Sequence, residues 1–201
     1  MEAEPAVVVV DDDASMRDSL TLLLEVAKLR PVTYPSAERF LEEYDPSRPG
    51  CVLLDVNMPG MSGLDLQDLM AEKGWLSPVI LMAGNANVEM AVRGTKAGAF
   101  DFIEKPFMAE ALLERIRQAI DEDRERRLRY EKRCQRDERL ASLTPRERQV
   151  ADLLVAGKLS KEVAVELQIS AKTVEKHRAN IMVKIQARSV ADLVSMLLAS
   201  F

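Results

Sequence analysis

Four β-branched residues in a row, Val7 to Val10, run without a polar interruption into Asp11-Asp12-Asp13. An unbroken apolar run of that kind predicts a central parallel strand covered on both faces, ending where the carboxylates begin. The same form returns at Val52–Leu54, which stops at Asp55 before Pro59, Gly60 and Gly63 forbid regular structure, and again at Val79–Met82. Phe100–Glu104 reads as a strand ending in Lys105-Pro106, and Pro31–Tyr34 as a weaker one. Helices are predicted between them, over Ser15–Lys28, Ala37–Tyr44, Leu64–Lys73 and Val88–Ala97; the first carries Leu20, Leu22, Leu23, Leu24 and Val26. Five successive β/α units predict an α/β fold, a doubly wound five-stranded parallel sheet of the flavodoxin-like kind.

The pattern changes after Ala109. Leu112, Leu113, Ile116, Ala119 and Ile120 fall at helical spacing and give a helix with one buried face. Beyond Ile120 the face ends but the helical signal continues. Glu122 and Arg126, Asp123 and Arg127, and Glu125 and Arg129 are acid-to-base pairs four apart, and no Gly or Pro interrupts Asp121 to Leu143. Each such pair contributes about 0.3 kcal/mol. Leu128, Cys134 and Leu140 make a poor heptad seam, so a long solvated connector is expected rather than a coiled coil.

A small all-α region comes next. Thr144, Pro145 and Glu147 form a capping-box signature, Val150, Leu153 and Leu154 give the helix its buried face, and Gly157 ends it. After it come a short helix Ser160–Leu167, a turn through Gln168-Ile169-Ser170 and a helix Ala171–Ile185 capped by Ser170. A last helix, Ser189–Leu198, carries Val190, Leu193, Val194 and Leu197 on one face. The expected organisation is 1–122, a helical linker 123–141, and 142–201.

Charge supports this division. Residues 1–120 hold 11 Lys+Arg against 20 Asp+Glu, residues 121–141 hold 8 against 7, and residues 142–201 hold 9 against 6. An acidic first part and a basic last part predict two domains with different partners. At 201 residues, 47% hydrophobic and 30% charged, the chain has material for two small cores. It contains no apolar run near the roughly 18 residues of a membrane span, and Met1 to Pro5 lack a basic start, so a cytoplasmic protein without membrane contact is expected. Cys51, Cys134 and the single His177 suggest neither a disulfide framework nor a zinc site.

In a doubly wound sheet the ligand site lies at the carboxyl ends of the strands, near the reversal of strand order. There the pattern places Asp11 and Asp12, Asp55, Ala83-Gly84 and Lys105. Three adjacent carboxylates repel one another unless a cation joins them, and oxygen-only ligands favour magnesium. Lys105 adds a point charge suited to a phosphoryl group. In the last region two helices joined by a short turn, the second bearing Lys172, Lys176, Arg178 and Lys184, form the pattern of a helix-turn-helix.

Asp11-Asp12, Asp55 with Met58-Pro59-Gly60, and Lys105-Pro106-Phe107 resemble, in order and spacing, the receiver domain of two-component response regulators over about 120 residues. The resemblance implies that Asp55 is the phosphoacceptor, served by the phosphohistidine of a sensor histidine kinase. It further implies that Asp12, Asp55 and the main-chain carbonyl of Asn57 hold Mg2+, with Asp11 acting through water, and that Lys105 pairs with the bound phosphoryl group. The family carries a Ser or Thr where this chain has Ala83, and an aromatic residue at Phe102 that moves with it. The hydroxyl is missing here, leaving the main-chain N–H of Gly84 for the phosphoryl oxygen.

Leu143-Thr144-Pro145-Arg146-Glu147-Arg148, Ala156-Gly157, Ile169-Ser170 and Thr173 through Ile181 resemble the DNA-binding domain of the LuxR type over about 60 residues. With the receiver in front, the chain is similar to regulators of the NarL/FixJ class, closest to the FixJ branch. The implied function is phosphorylation-controlled transcription regulation, without enzymatic turnover, on double-stranded promoter DNA. A homodimer forming on phosphorylation through the 88–97 and 100–104 face is expected, with RNA polymerase as a candidate partner. Base contacts are expected from Thr173, Lys176 and Asn180, backbone contacts from Lys172, Arg178 and Lys184, and a phosphate or packing role for His177. Two alternatives are a phosphatase of the haloacid dehalogenase type using Asp11, since Asp11-Asp12-Asp13 also fits an Asp-x-Asp motif, and a protein-binding scaffold assembled through the connector.

Overall fold

The computed structural model describes residues 4–84 and 88–198 and divides into two compact units, Met1–Leu128 and Arg129–Phe201. The first contains β1 (Ala6–Val10), α1 (Ala14–Val26), β2 (Arg30–Tyr34), α2 (Ala37–Glu43), β3 (Gly50–Asp55), α3 (Gly63–Glu72), β4 (Val79–Ala83), α4 (Val88–Lys96) and β5 (Asp101–Glu104). The strands form one parallel sheet in the order β2-β1-β3-β4-β5. Register sets Val10 beside both Tyr34 and Leu54, Asp55 beside Met82, and Ala83 beside Glu104. The carboxyl ends of β1, β3, β4 and β5 therefore meet along one edge, and β1 and β3 flank the reversal of strand order.

Both faces of β1, β3 and β4 are covered, which is why these strands are apolar without alternation. Val8, Val10, Val52, Leu54 and Leu81 pack with Phe40, Leu66 and Met70 from α2 and α3. Val7, Val9, Leu53, Ile80 and Met82 pack on the opposite face with Leu20 and Leu24 of α1. Leu112, Ile116 and Ala119 of α5 (Ala109–Ala141) complete that second layer. Two glycines permit close backbone approaches. A Cβ on Gly50, where φ is +138°, would lie 1.8 Å from the Ala6 carbonyl oxygen, and one on Gly63 would lie 2.1 Å from that of Asp55.

α5 begins by packing on the sheet, and its middle differs from the expected solvated connector. Asp123 is only 1% exposed. Its Oδ2 accepts from the Gly50 N–H at 2.9 Å and from Arg127 Nε at 2.8 Å. Arg127 in turn donates to the carbonyls of Pro46 (3.2 Å), Ser47 (2.8 Å) and Arg48 (2.7 Å). A guanidinium with five fixed donors can satisfy several carbonyls of one turn at once. The result is a clasp at the amino end of β3, opposite the carboxylate edge. Arg126 and Glu122 form the expected pair at 2.7 Å. Further along, Leu128 and Tyr130 are exposed.

The second unit holds α6 (Pro145–Val155), α7 (Ser160–Glu166), α8 (Ala171–Ile185) and α9 (Val190–Leu198). The capping box forms: Glu147 N–H donates to Thr144 Oγ1 at 3.3 Å, and Thr144 N–H donates to Glu147 Oε2 at 2.9 Å. Val150, Val163, Val174, Ile181, Ile185 and Leu193 form the core between the four helices. Among the described residues no helix is long and apolar enough to cross a membrane.

Candidate functional site

The carboxylate edge is assembled by three strand ends. Asp11 follows β1 directly and is fully buried, Asp12 beside it is exposed, and Asp55 closes β3 at 6% exposure. Asp11, Asp12 and Asp55 each present an oxygen within 4.8 Å of the others, a spacing that a single hard cation can bridge. Asn57 is exposed just beyond β3. Asp13 does not join the cluster; its carboxylate caps α1 by accepting from the Ser15 N–H at 2.8 Å.

Lys105 joins the cluster from the end of β5. Its Nζ donates to Asp11 Oδ2 at 2.7 Å and to Asp55 Oδ1 at 3.0 Å. Its position is held by its main-chain N–H, which donates to the Ala83 carbonyl at 2.7 Å. Burial alone would lower the Lys105 pKa, but the bonds to Asp11 and Asp55 outweigh it and the ammonium is held above its ordinary value. Desolvation raises the Asp55 carboxyl; the nearby Asp11 and Asp12 charges add to it, against the bond and charge of Lys105. A buried carboxylate made less comfortable as an anion, beside a fixed cation and further oxygens, is equipped to accept an electrophilic, negatively charged group.

Ala83 is fully buried and brings no hydroxyl to this edge, while Gly84 after it is exposed. Phe102, half-buried, packs against the cluster formed with α2 and α3. Asp11 is a poor candidate for the nucleophile that the phosphatase alternative needs. It is fully buried, with Oδ1 accepting from the Asp13 N–H at 2.9 Å and Oδ2 taken by Lys105.

In the second unit α8 stands on the core through Val174, Ile181 and Ile185. Opposite them lies an exposed stripe of Lys172, Glu175, Lys176, Ala179, Asn180 and Val183. Lys172, Lys176 and Asn180 thus share the outward face, while Thr173, His177 and Arg178 are half-buried on the flanks. The Thr173 hydroxyl is 2.8 Å from that of Ser170, within the helix cap. Lys184, expected at the phosphate backbone, has partners within the unit. Its Nζ donates to Glu147 Oε2 at 2.7 Å and to the Ser142 carbonyl at 3.2 Å, so its charge is used inside the unit. Positive charge alone does not point to Glu175, Ala179 or Val183; the period of α8, taken outward from its buried residues, is the signal that finds them.

A parallel five-stranded sheet with three carboxylates and a lysine on its carboxyl edge, joined to a helix-turn-helix unit, defines the class of response regulators with a DNA-binding output. Comparison with known proteins agrees. Residues 7–117 match the response regulator receiver domain and residues 141–197 match the bacterial regulatory proteins of the luxR family. The chain belongs to this family and is a phosphorylation-controlled transcription regulator. It is similar to the transcriptional regulatory protein FixJ of Azorhizobium caulinodans, 41% identical over 94% of this chain and 90% of that protein. It is also similar to the response regulator protein TmoT of Ectopseudomonas mendocina, 40% identical over 96% and 88%. Among solved structures, the response regulator StyR matches with a TM-score of 0.88 and 41% identity over 98% of this chain and all of that one. Full-length FixJ from B. japonicum matches with a TM-score of 0.59 and 39% identity over 98% and 97%.

Proposed function

We propose that Asp55 is the phosphoacceptor, receiving a phosphoryl group from the phosphohistidine of a sensor histidine kinase. A carboxylate oxygen of Asp55 forms the new P–O bond, the P–N bond breaks, and the imidazole leaves with its electron pair. No general base is needed because the nucleophile is already an anion at neutral pH. The observation that supports this reading is Lys105 Nζ bridging Asp11 and Asp55, a fixed cation available to phosphoryl oxygens as they gather charge. Asp11, Asp12, Asp55 and the Asn57 carbonyl are the residues that would hold Mg2+, the oxygen-only donor set that suits it. Bound there, the ion would neutralise phosphoryl charge. Phosphodonor treatment followed by mass spectrometry should show one added phosphate that requires magnesium and is absent in Asp55→Asn. A label that survives in that variant would refute the assignment.

Output is assigned to the second unit. α8 enters the major groove of promoter DNA with Lys172, Lys176 and Asn180 outward, while Arg178 and His177 face the flanking backbone. The modest net charge of this region makes a single copy a weak binder, so a phosphorylation-induced homodimer reading two half-sites is the effective form. The protein acts in the cytoplasm, where promoter and RNA polymerase are both reached. Selection of bound fragments from random duplex DNA tests this reading; sites without two-fold symmetry would overturn the dimer.

A further inference from the structure

Five of the six residues in the outward stripe of α8 suit a helix approaching DNA, and Glu175 does not. A carboxylate facing a polyanion is repelled at every sequence, most strongly where water is thin. The side chain is nonetheless 56% exposed and held in a defined position. Ser160, the first residue of α7, donates its hydroxyl hydrogen to Glu175 Oε1 at 2.6 Å and so ties the two helices of the helix-turn-helix together. Arg178 Nη1 lies 3.9 Å from the same oxygen. Both contacts address Oε1 of this exposed carboxylate.

The bases divide sharply over such a group. Guanine offers only acceptors in the major groove, thymine an acceptor and a methyl, and adenine a donor beside the acceptor N7. Cytosine alone presents an amino donor without a neighbouring acceptor of its own. A fixed carboxylate therefore penalises the phosphates and three of the bases, and is compensated at the fourth. We propose that Glu175 is a specificity-determining residue that accepts a hydrogen bond from the N4 amino group of a cytosine in each half-site, with Ser160 as its positioning residue. This rests on the reading of α8 as the helix that enters the groove.

The test uses the full chain with a small phosphodonor and magnesium. Sites are selected from random duplex DNA by the parent, Glu175→Ala, Glu175→Gln, Ser160→Ala and Lys176→Ala, and affinities are then measured on the parent's operator and its single-base variants. The parent should prefer C·G at one position of each half-site by about ten-fold, within the range of a single base contact. Glu175→Ala should lose that preference alone and bind unrelated DNA more tightly. Glu175→Gln, close in shape, should move the preference toward adenine, whose paired acceptor and donor match an amide. Ser160→Ala should reduce the cytosine preference several-fold while leaving affinity for unrelated DNA unchanged, which loss of a merely structural tie would not do. Tighter binding by Glu175→Ala to all sequences alike, with every base preference intact, would overturn the proposal. If Lys176→Ala also leaves all preferences intact, the placement of α8 itself fails.

Discussion

Each unit contains a lysine bonded at 2.7 Å to a buried carboxylate, and the two pairs behave in opposite ways. In the receiver, Lys105 bridges Asp11 and Asp55, and desolvation nonetheless holds the Asp55 carboxyl above its ordinary range. In the DNA-binding unit, Lys184 meets Glu147, whose carboxyl is held down at about 2 by the Lys184 bond first and the Thr144 main-chain bond next. Glu147 spends its oxygens on a helix cap and a lysine, so its anion is fully compensated. Asp55 shares one cation with Asp11 and sits near Asp12, so its anion is under-compensated. Proximity of opposite charges is common to both; surplus negative charge marks the site built to receive something.

The largest test of this contrast is Glu147→Ala. It removes the cap bond and the counter-charge of Lys184, so the DNA-binding unit should lose about 3 kcal/mol in thermal unfolding, with no recovery on adding magnesium. Next in size is the response to acid. The depressed Glu147 carboxyl contributes stability that is complete above about pH 4.5 and lost as pH falls toward about 2. With the partial exposure of Lys184 allowed for, that loss is roughly 2 kcal/mol. Asp55 has the reverse sign. Its raised carboxyl is unfavourable to the fold while ionised, and acidification through that raised value relieves it. Acid titration followed by residue-resolved hydrogen exchange should show the 145–198 unit opening first; simultaneous opening would break the comparison.

Lys105→Met should cost the receiver about 2 kcal/mol in the absence of divalent cations, because Asp11 and Asp55 are left buried without a counter-charge. Magnesium should return most of it, measured as a rise in unfolding temperature. Failure of magnesium to do so would equate this pair with Glu147 and Lys184. The smallest expected effect is that of Ala83→Thr. A hydroxyl reaching a phosphoryl oxygen should strengthen phosphorylation-dependent dimerisation by about 1 kcal/mol net, read by analytical ultracentrifugation. Equal dimerisation constants for the phosphorylated parent and variant would show that this chain switches without that bond.

Covered strands announce themselves, which is why β1, β3 and β4 and the convergence of Asp11, Asp55 and Lys105 are legible from apolar runs ending in charge. The capping box of α6 is equally plain, because its partners lie three residues apart. Less legible are contacts whose partners are distant in the chain. Asp123 and Arg127 look like any solvated pair four apart on a helix, and nothing local says that the guanidinium meets carbonyls near residue 47. Nor does anything local show that Lys184 pairs with Glu147, 37 residues earlier. On α8 the polar residues draw attention to Thr173 and Lys184, although both lie toward the flank set by Val174, Ile181 and Ile185.

The clasp between Asp123, Arg127 and the turn before β3 also dictates where this chain can be cut and rejoined. A receiver taken only to Ile120 would leave the Gly50 N–H and a row of turn carbonyls without the partners they have here, whereas one taken to Leu128 carries its own closure. Any foreign output helix spliced after Leu128 continues an existing helix, so each residue added at the join rotates the attached output by about 100°. Chimeric sensors built on this receiver should accordingly work or fail in step with the helical repeat of the junction, and a library varying that junction one residue at a time would show it as a periodic response.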